Sequence, residues 1–203
     1  MKFQEFKKSI EKPYFNRMDI NFLKNKEEIF DYQISYWQKN GEIKRIKRGL
    51  YVFSEREDEL SPQEVAFILY EPSYISLEYA LSHYGIIPET VFNITSVSTR
   101  KTRKFSTEFG VFPYRKIKPS LFFGYEVRET EYGKYLLAEP EKALLDYLYL
   151  NLGKINTEDD IEEIRINYGE LGKIINKSKF KKYLKEFNIK KLNRISNIIL
   201  QKC

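Results

Sequence analysis

At 203 residues with a net charge of +6, the chain is long enough for one large domain or two small ones and is mildly basic, so where its charges fall matters more than their sum. One cysteine, Cys203, and one histidine, His83, exclude an internal disulfide, a zinc site and the histidine-based catalytic triads. No apolar run approaches the roughly 20 residues that cross a bilayer, and residues 1–8 lack the apolar stretch of a signal peptide, so a cytoplasmic protein without membrane contact is expected.

The pattern predicts a first helix over residues 3–10, broken by Pro13. Asn16, with Asp19 three residues on, is placed to cap a second helix that runs to about Lys24. A third is expected from about Lys26 to Lys39, with Phe30, Ile34 and Trp37 as its apolar stripe at i, i+4, i+7. Gly41 stands in the favoured stop position after it. Strands follow at 42–46 and 50–53, joined at Lys47-Arg48-Gly49, where glycine supplies the positive φ that a tight turn needs.

A helix followed directly by a basic hairpin is the arrangement by which a winged helix holds DNA: the helix enters the major groove and the hairpin grips phosphates. With the apolar stripe turned inward, Glu28, Tyr32, Ser35, Tyr36 and Lys39 share the opposite face. Tyrosine and serine can bond phosphates or bases, and Lys39 can reach a phosphate. Glu28 must sit away from the backbone or accept from a cytosine amine. The hairpin offers Lys44, Arg45, Lys47 and Arg48 within five positions, and residues 1–54 hold 12 Lys and Arg against 7 Asp and Glu. A solvated helix face and lysines that merely protect a strand edge are the alternatives, but edge protection explains one or two such charges better than four. Four phosphate contacts imply a log–log salt slope of roughly −3 to −4 per subunit, and two copies on repeated half-sites are expected. Reversing Lys47 and Arg48 to glutamate is expected to abolish binding and leave the fold intact.

Residues 55–60 read as a charged linker. Ser61-Pro62-Gln63-Glu64 is a helix start: Ser61 caps, Pro62 stands at N1 and Glu64 closes a capping box. That helix stops before Pro72. Another begins after Ser76, with Glu78 in its first turn and Leu77, Ala80 and Leu81 as a packing stripe, and ends at Gly85. His83 near its end suits a cap better than a catalyst. Residues 91–98, 105–111, 123–127 and 135–138 have β texture, the last two joined by a turn at Tyr132-Gly133. Between the first two, Arg100, Lys101, Arg103 and Lys104 form a second basic cluster, which is either an exposed loop or an auxiliary nucleic-acid patch. Pro140 opens a helix that is apolar on most sides and hence buried, ended by Gly153. Thr157 caps another, and two or three more fill the remainder. Glu139, Glu141, Lys142 and Asp146 invite comparison with a metal-dependent nuclease. Acids at a helix N-terminus and an i, i+4 ion pair explain them better.

The fold class expected is α+β: an N-terminal winged helix-turn-helix domain (1–54), a linker (55–60) and a mixed α/β C-terminal domain (61–203) with a small antiparallel sheet and C-terminal helices. No catalytic residue, metal or cofactor is expected.

Four segments carry a resemblance. They are Gly49-Leu-Tyr-Val, Pro72-Ser-Tyr-Ile-Ser-Leu-Glu-Tyr-Ala-Leu-Ser-His-Tyr-Gly-Ile-Ile-Pro-Glu89, Thr99-Arg-Lys-Thr-Arg-Lys-Phe105 and Ala138-Glu-Pro-Glu-Lys-Ala-Leu-Leu-Asp146. In this order and spacing they resemble the AbiEi family of antitoxins from abortive-infection toxin–antitoxin systems, with the likeness thinning after about residue 150. Each segment is weak by itself; the four in register are more specific. The resemblance implies a winged-helix N-terminus that represses the chain's own operon by binding inverted repeats in promoter DNA. It also implies a C-terminal domain that counteracts a toxin of the nucleotidyltransferase class, in the type IV scheme without a stable complex. The DNA-binding role falls on the helix and hairpin residues named above; no motif assigns the antitoxic role residue by residue. On this reading the second basic cluster touches DNA beside the operator or shields a nucleic acid from the toxin. The competing readings are a stand-alone transcription regulator without a toxin, a nucleic-acid enzyme, and a protein-interaction module.

Overall fold

The computed structural model describes residues 2–24 and 31–203, with side chains for all of these except 22–24. Phe30 of the expected stripe, Glu28 of the expected groove face and the expected helix start at Lys26 lie outside the described residues. The chain is α+β. It opens with α1 (Phe3–Lys8), a short strand β1 (Tyr14–Asn16), α2 (Arg17–Lys24), α3 (Asp31–Lys39) and the hairpin β2 (Ile43–Lys47) and β3 (Leu50–Phe53). The local signals account for these bounds. Asn16 Oδ1 accepts from the amides of Met18 and Asp19 at 2.6 and 3.3 Å, and Asp19 Oδ2 accepts from Asn16 N at 2.7 Å, a reciprocal cap on α2. Gly41 and Gly49 take φ of +72° and +78° after α3 and in the hairpin turn.

The first sheet, in order β1-β3-β2, is antiparallel and buried on both faces. One face carries Phe15, Ile43 and Phe53 against Phe6, Ile20, Ile34 and Trp37, a small aromatic core in which Phe6 stacks on Trp37 with ring centroids 4.9 Å apart. The other face carries Tyr14, Ile46, Leu50 and Val52, which belong to the main core together with Leu60, Val65 and Leu69. The segment read as a linker is a 3₁₀ helix (Ser54–Glu59), braced by Arg56 against Glu59 at 2.8 Å, and it ends on the buried Leu60. A charge run by itself does not say that its flanks pack together.

The larger part begins with α4 (Pro62–Leu69), β4 (Ser73–Ile75), α5 (Leu77–His83), β5 (Ser96–Ser98), β6 (Arg103–Thr107), β7 (Gly110–Lys116), β8 (Tyr125–Glu129) and β9 (Lys134–Ala138). After these come α6 (Pro140–Asn151), α7 (Glu158–Glu162), α8 (Tyr168–Ile174), α9 (Lys177–Phe187) and α10 (Lys190–Gln201). The strands form a six-stranded sheet in order β6-β7-β5-β4-β9-β8. β8–β9 is the antiparallel hairpin expected around Tyr132-Gly133, whereas the stretch expected as one strand at 105–111 is broken by a turn at Glu108-Phe109, and its two parts pair as the antiparallel hairpin β6–β7. β4 and β5 extend the sheet between them, and its β4–β9 and β5–β7 junctions are parallel. β4 has three residues, all buried, too few to show a period.

Side chains alternate across β7 and fix its two faces. Tyr114 donates to Ala66 O of α4, while Arg115 donates to Leu150 O of α6 at 2.8 Å on the opposite side. Ser61 caps α4 as expected, accepting from Glu64 N at 3.2 Å, but the Glu64 carboxylate does not close the box. It accepts instead from Thr130 Oγ1 at 2.9 Å. Among the described residues no helix is long and apolar enough to cross a membrane.

Candidate nucleic-acid interface

The register of the hairpin decides where its four cations go. Arg45 pairs with Tyr51 and Lys47 with Leu50, leaving Ile46 as the extra residue of a β-bulge. Residues directly opposite in an antiparallel pair share a face. Arg45 therefore lies on the Tyr51 face, beside α3, whereas Lys47 follows Leu50 towards the main core. Its ammonium donates to Ile68 O and Leu69 O at 3.2 and 2.5 Å, where it caps the C-terminal end of α4. Burial holds its pKa below the ordinary lysine range; Glu71 opposes this, and Arg100 and Arg103 add to it. Lys47 thus departs from the expected phosphate clamp, because the bulge re-aims it. Lys44, on the same side, is held by Glu57 at 2.6 Å, with Glu108 at 3.7 Å, and Glu57 raises its pKa.

Arg45 and Arg48 remain exposed and line a cleft of about 300 Å³ between α2, α3 and the hairpin. Arg17, Asn21, Ser35, Gln38 and Tyr51 also line it. Arg17 sits on the hairpin turn, its amide donating to Gly49 O at 3.2 Å, and its guanidinium lies 3.9 Å from Asp31. Tyr32 and Tyr36 stand out from α3 at 68% and 61% exposure, with the exposed Lys39 one turn further on. Ser35 Oγ donates to Asp31 O at 3.1 Å within the helix. Of the expected helix face, Tyr32, Ser35, Tyr36 and Lys39 thus form an exposed stripe beside a cleft walled by three arginines. Arg17, Asn21 and Gln38 were not singled out from the sequence. Arg17 carried a signal nonetheless: a cation in the first turn of a helix opposes the dipole and invites another explanation.

The second basic cluster is half loop and half strand, with Arg103 and Lys104 opening β6. Arg100 lies over the Tyr70 ring at 4.5 Å and donates to Glu71 O at 3.1 Å; Arg103 lies over Phe105 at 5.4 Å. Arg100, Lys101 and Arg103 line a shallow hollow of about 500 Å³, with Lys101 and Lys104 exposed. Through Lys47 this cluster neighbours the hairpin turn, although some fifty residues separate them in sequence.

Of the four residues that invite comparison with a nuclease, Lys142 and Asp146 are sealed in the core. Lys142 and Asp146 pair one turn apart with both side chains fully buried. Tyr74 OH and Ser76 Oγ donate to Asp146 Oδ2 at 2.8 and 2.9 Å, and Lys142 Nζ lies 5.1 Å from the Phe123 ring and 5.3 Å from the Phe187 ring. Burial presses the Lys142 pKa down and the Asp146 pKa up. Two of the segments that carry the family resemblance therefore meet here, through structural contacts. Glu139 binds Lys179 at 2.6 Å and Tyr183 at 2.5 Å. His83 is the exposed last residue of α5, edge-on to Tyr84. Among the described residues no group of acidic, cysteine or histidine side chains is placed to hold a metal ion. No protein-family model matches the chain, and comparison with curated proteins finds no match.

Proposed function

We propose that this chain binds duplex DNA through its N-terminal module, acting as a winged helix with α3 in the major groove and the β2–β3 turn on the flanking phosphates. The observation that carries the reading is the junction of two features: the exposed Tyr32–Ser35–Tyr36–Lys39 face and the cleft in which Arg17, Arg45 and Arg48 converge. Arginine clusters beside a helix face recognise phosphate as planar, multiply hydrogen-bonded donors. Arg100, Lys101, Arg103 and Lys104 continue this basic surface and serve as an auxiliary contact.

In this reading the protein is an antitoxin of the AbiEi type. Two copies occupy inverted repeats in its promoter and repress the operon, and the C-terminal half counteracts a nucleotidyltransferase-type toxin. It has no catalytic role of its own. The resemblance of four segments supports the antitoxin assignment; the charge and shape of the module support DNA. A stand-alone regulator uses the same residues, and the reading frame that follows in the operon separates the two.

The test is a fluorescence-anisotropy titration of labelled upstream DNA with wild-type protein and with Arg45→Glu/Arg48→Glu. The variant is expected to lose operator binding while keeping its circular dichroism spectrum. Replacing both arginines by glutamine is expected to reduce the salt slope by about 2. Retained affinity with an unchanged slope would move the interface elsewhere.

A further inference from the structure

We propose that the chain has a second binding site, a trough on the far side of the six-stranded sheet that takes a cationic segment of another protein bearing apolar side chains. Its position follows from β7. Tyr114 points to α4, and the N-terminal sheet is fastened to α4 by Lys47, whereas Pro113 and Arg115 point the other way and line the trough. The site therefore lies on the opposite face of the sheet from α4 and the N-terminal module, with Lys104, opposite Pro113, the member of the second basic cluster that shares its face.

The trough holds about 760 Å³, within the range of ligand-binding clefts. Leu77, Ile87, Val91, Tyr147 and Ile164 give it an apolar lining, and Phe92 stands at its edge 87% exposed. Its charges are mainly acidic: Glu78, Glu89 and Glu163 face Arg115. Arg115 is engaged by Leu150 O at 2.8 Å, and Glu89 shares a 2.8 Å contact with Arg165. Glu78 and Glu163 have no ion-pair partner among the described residues. A smaller hollow of about 240 Å³ shares Glu78, Tyr147, Glu163 and Ile164 with the trough and continues it towards Lys154.

An elongated site suits an extended peptide better than a compact small molecule. A lysine or arginine can lay its aliphatic stem on the apolar lining and set its head near Glu78 and Glu163. Phe92 offers the large, rigid, exposed surface that anchors interfaces. On a chain of net charge +6, a cationic segment is repelled by most of the surface and admitted here. The same charges turn nucleic acid away. The inference does not rest on the DNA-binding reading.

The experiment uses the full chain at low ionic strength with three short fluorescein-labelled peptides, alternating leucine with lysine, serine or glutamate. The lysine peptide is expected to bind and the other two not to. Glu78→Gln with Glu163→Gln, and separately Phe92→Ala, should each weaken it about tenfold. Glu163 and Phe92 are exposed, so their substitution leaves the core untouched. Arg45→Glu/Arg48→Glu should bind the peptide as the wild type does, which separates this site from the DNA-binding one. Equal binding of all three peptides, or full affinity in both trough variants, overturns the proposal. So does a fall in the self-association of the chain alone when Glu78 and Glu163 are neutralised, because a second copy would then be the occupant.

Discussion

Lys47 and Arg48 are neighbours with opposite fates, and the difference is one inserted residue. Lys47→Glu places a carboxylate against the two carbonyls that Lys47 now caps. It should cost roughly 2 kcal/mol or more, read as a lower urea midpoint. Arg48→Glu alone should leave that midpoint in place and lower DNA affinity. The double reversal of Lys47 and Arg48 therefore mixes a folding defect with a binding defect, and reversal of Arg45 with Arg48 is the cleaner probe. Glu64 offers a test in pH. Burial raises its pKa above the usual 4.5, against the Thr130 hydroxyl and Lys12, which favour the charged form. A carboxyl whose folded pKa is raised supports folding below its unfolded pKa, and that support is lost as pH rises through the folded value. Glu64→Gln should thus raise the melting temperature at neutral pH and leave it unchanged near pH 4. Thermal melts at the two pH values check it.

What was legible in the sequence belongs mostly to this scale and the next. Asn16, Ser61, Gly41 and Gly49 act on their own few residues, and each does what its chemistry dictates. The burial of α6 was equally plain, since a helix apolar on most sides has nowhere else to go. The fate of the four hairpin cations was not legible. The face on which a side chain lies depends on strand register, and the bulge at Ile46 is a property of the pairing rather than of the residue. The place of Arg17 is not legible either, because the cleft it enters is assembled from three elements. Within α6, Lys142 and Asp146 make a further prediction. Asp146→Ala leaves a buried ammonium without its partner and should cost about 3–5 kcal/mol; Lys142→Met combined with Asp146→Leu should recover much of that loss. Chemical denaturation of the two variants distinguishes an ion pair needed for its charge from one that tolerates an apolar replacement.

At the scale of the whole molecule, the three-stranded sheet belongs to two cores at once. Residues 1–54 expressed alone would expose Tyr14, Ile46, Leu50 and Val52, all buried in the intact chain. That fragment should aggregate or fail to fold, whereas the full chain should unfold in a single transition by both circular dichroism and tryptophan fluorescence from Trp37. A soluble, cooperatively folding fragment would show that the second face contributes little. The same arrangement limits how the protein can search. Neighbouring domains swivel when the surface between them is small and wet, but here an apolar seam and a lysine staple leave no pivot. If two copies sit on an inverted repeat, any mismatch in spacing must be absorbed by bending of the duplex or by play between the copies. Operators with one base pair added or removed between the repeats should then be discriminated sharply.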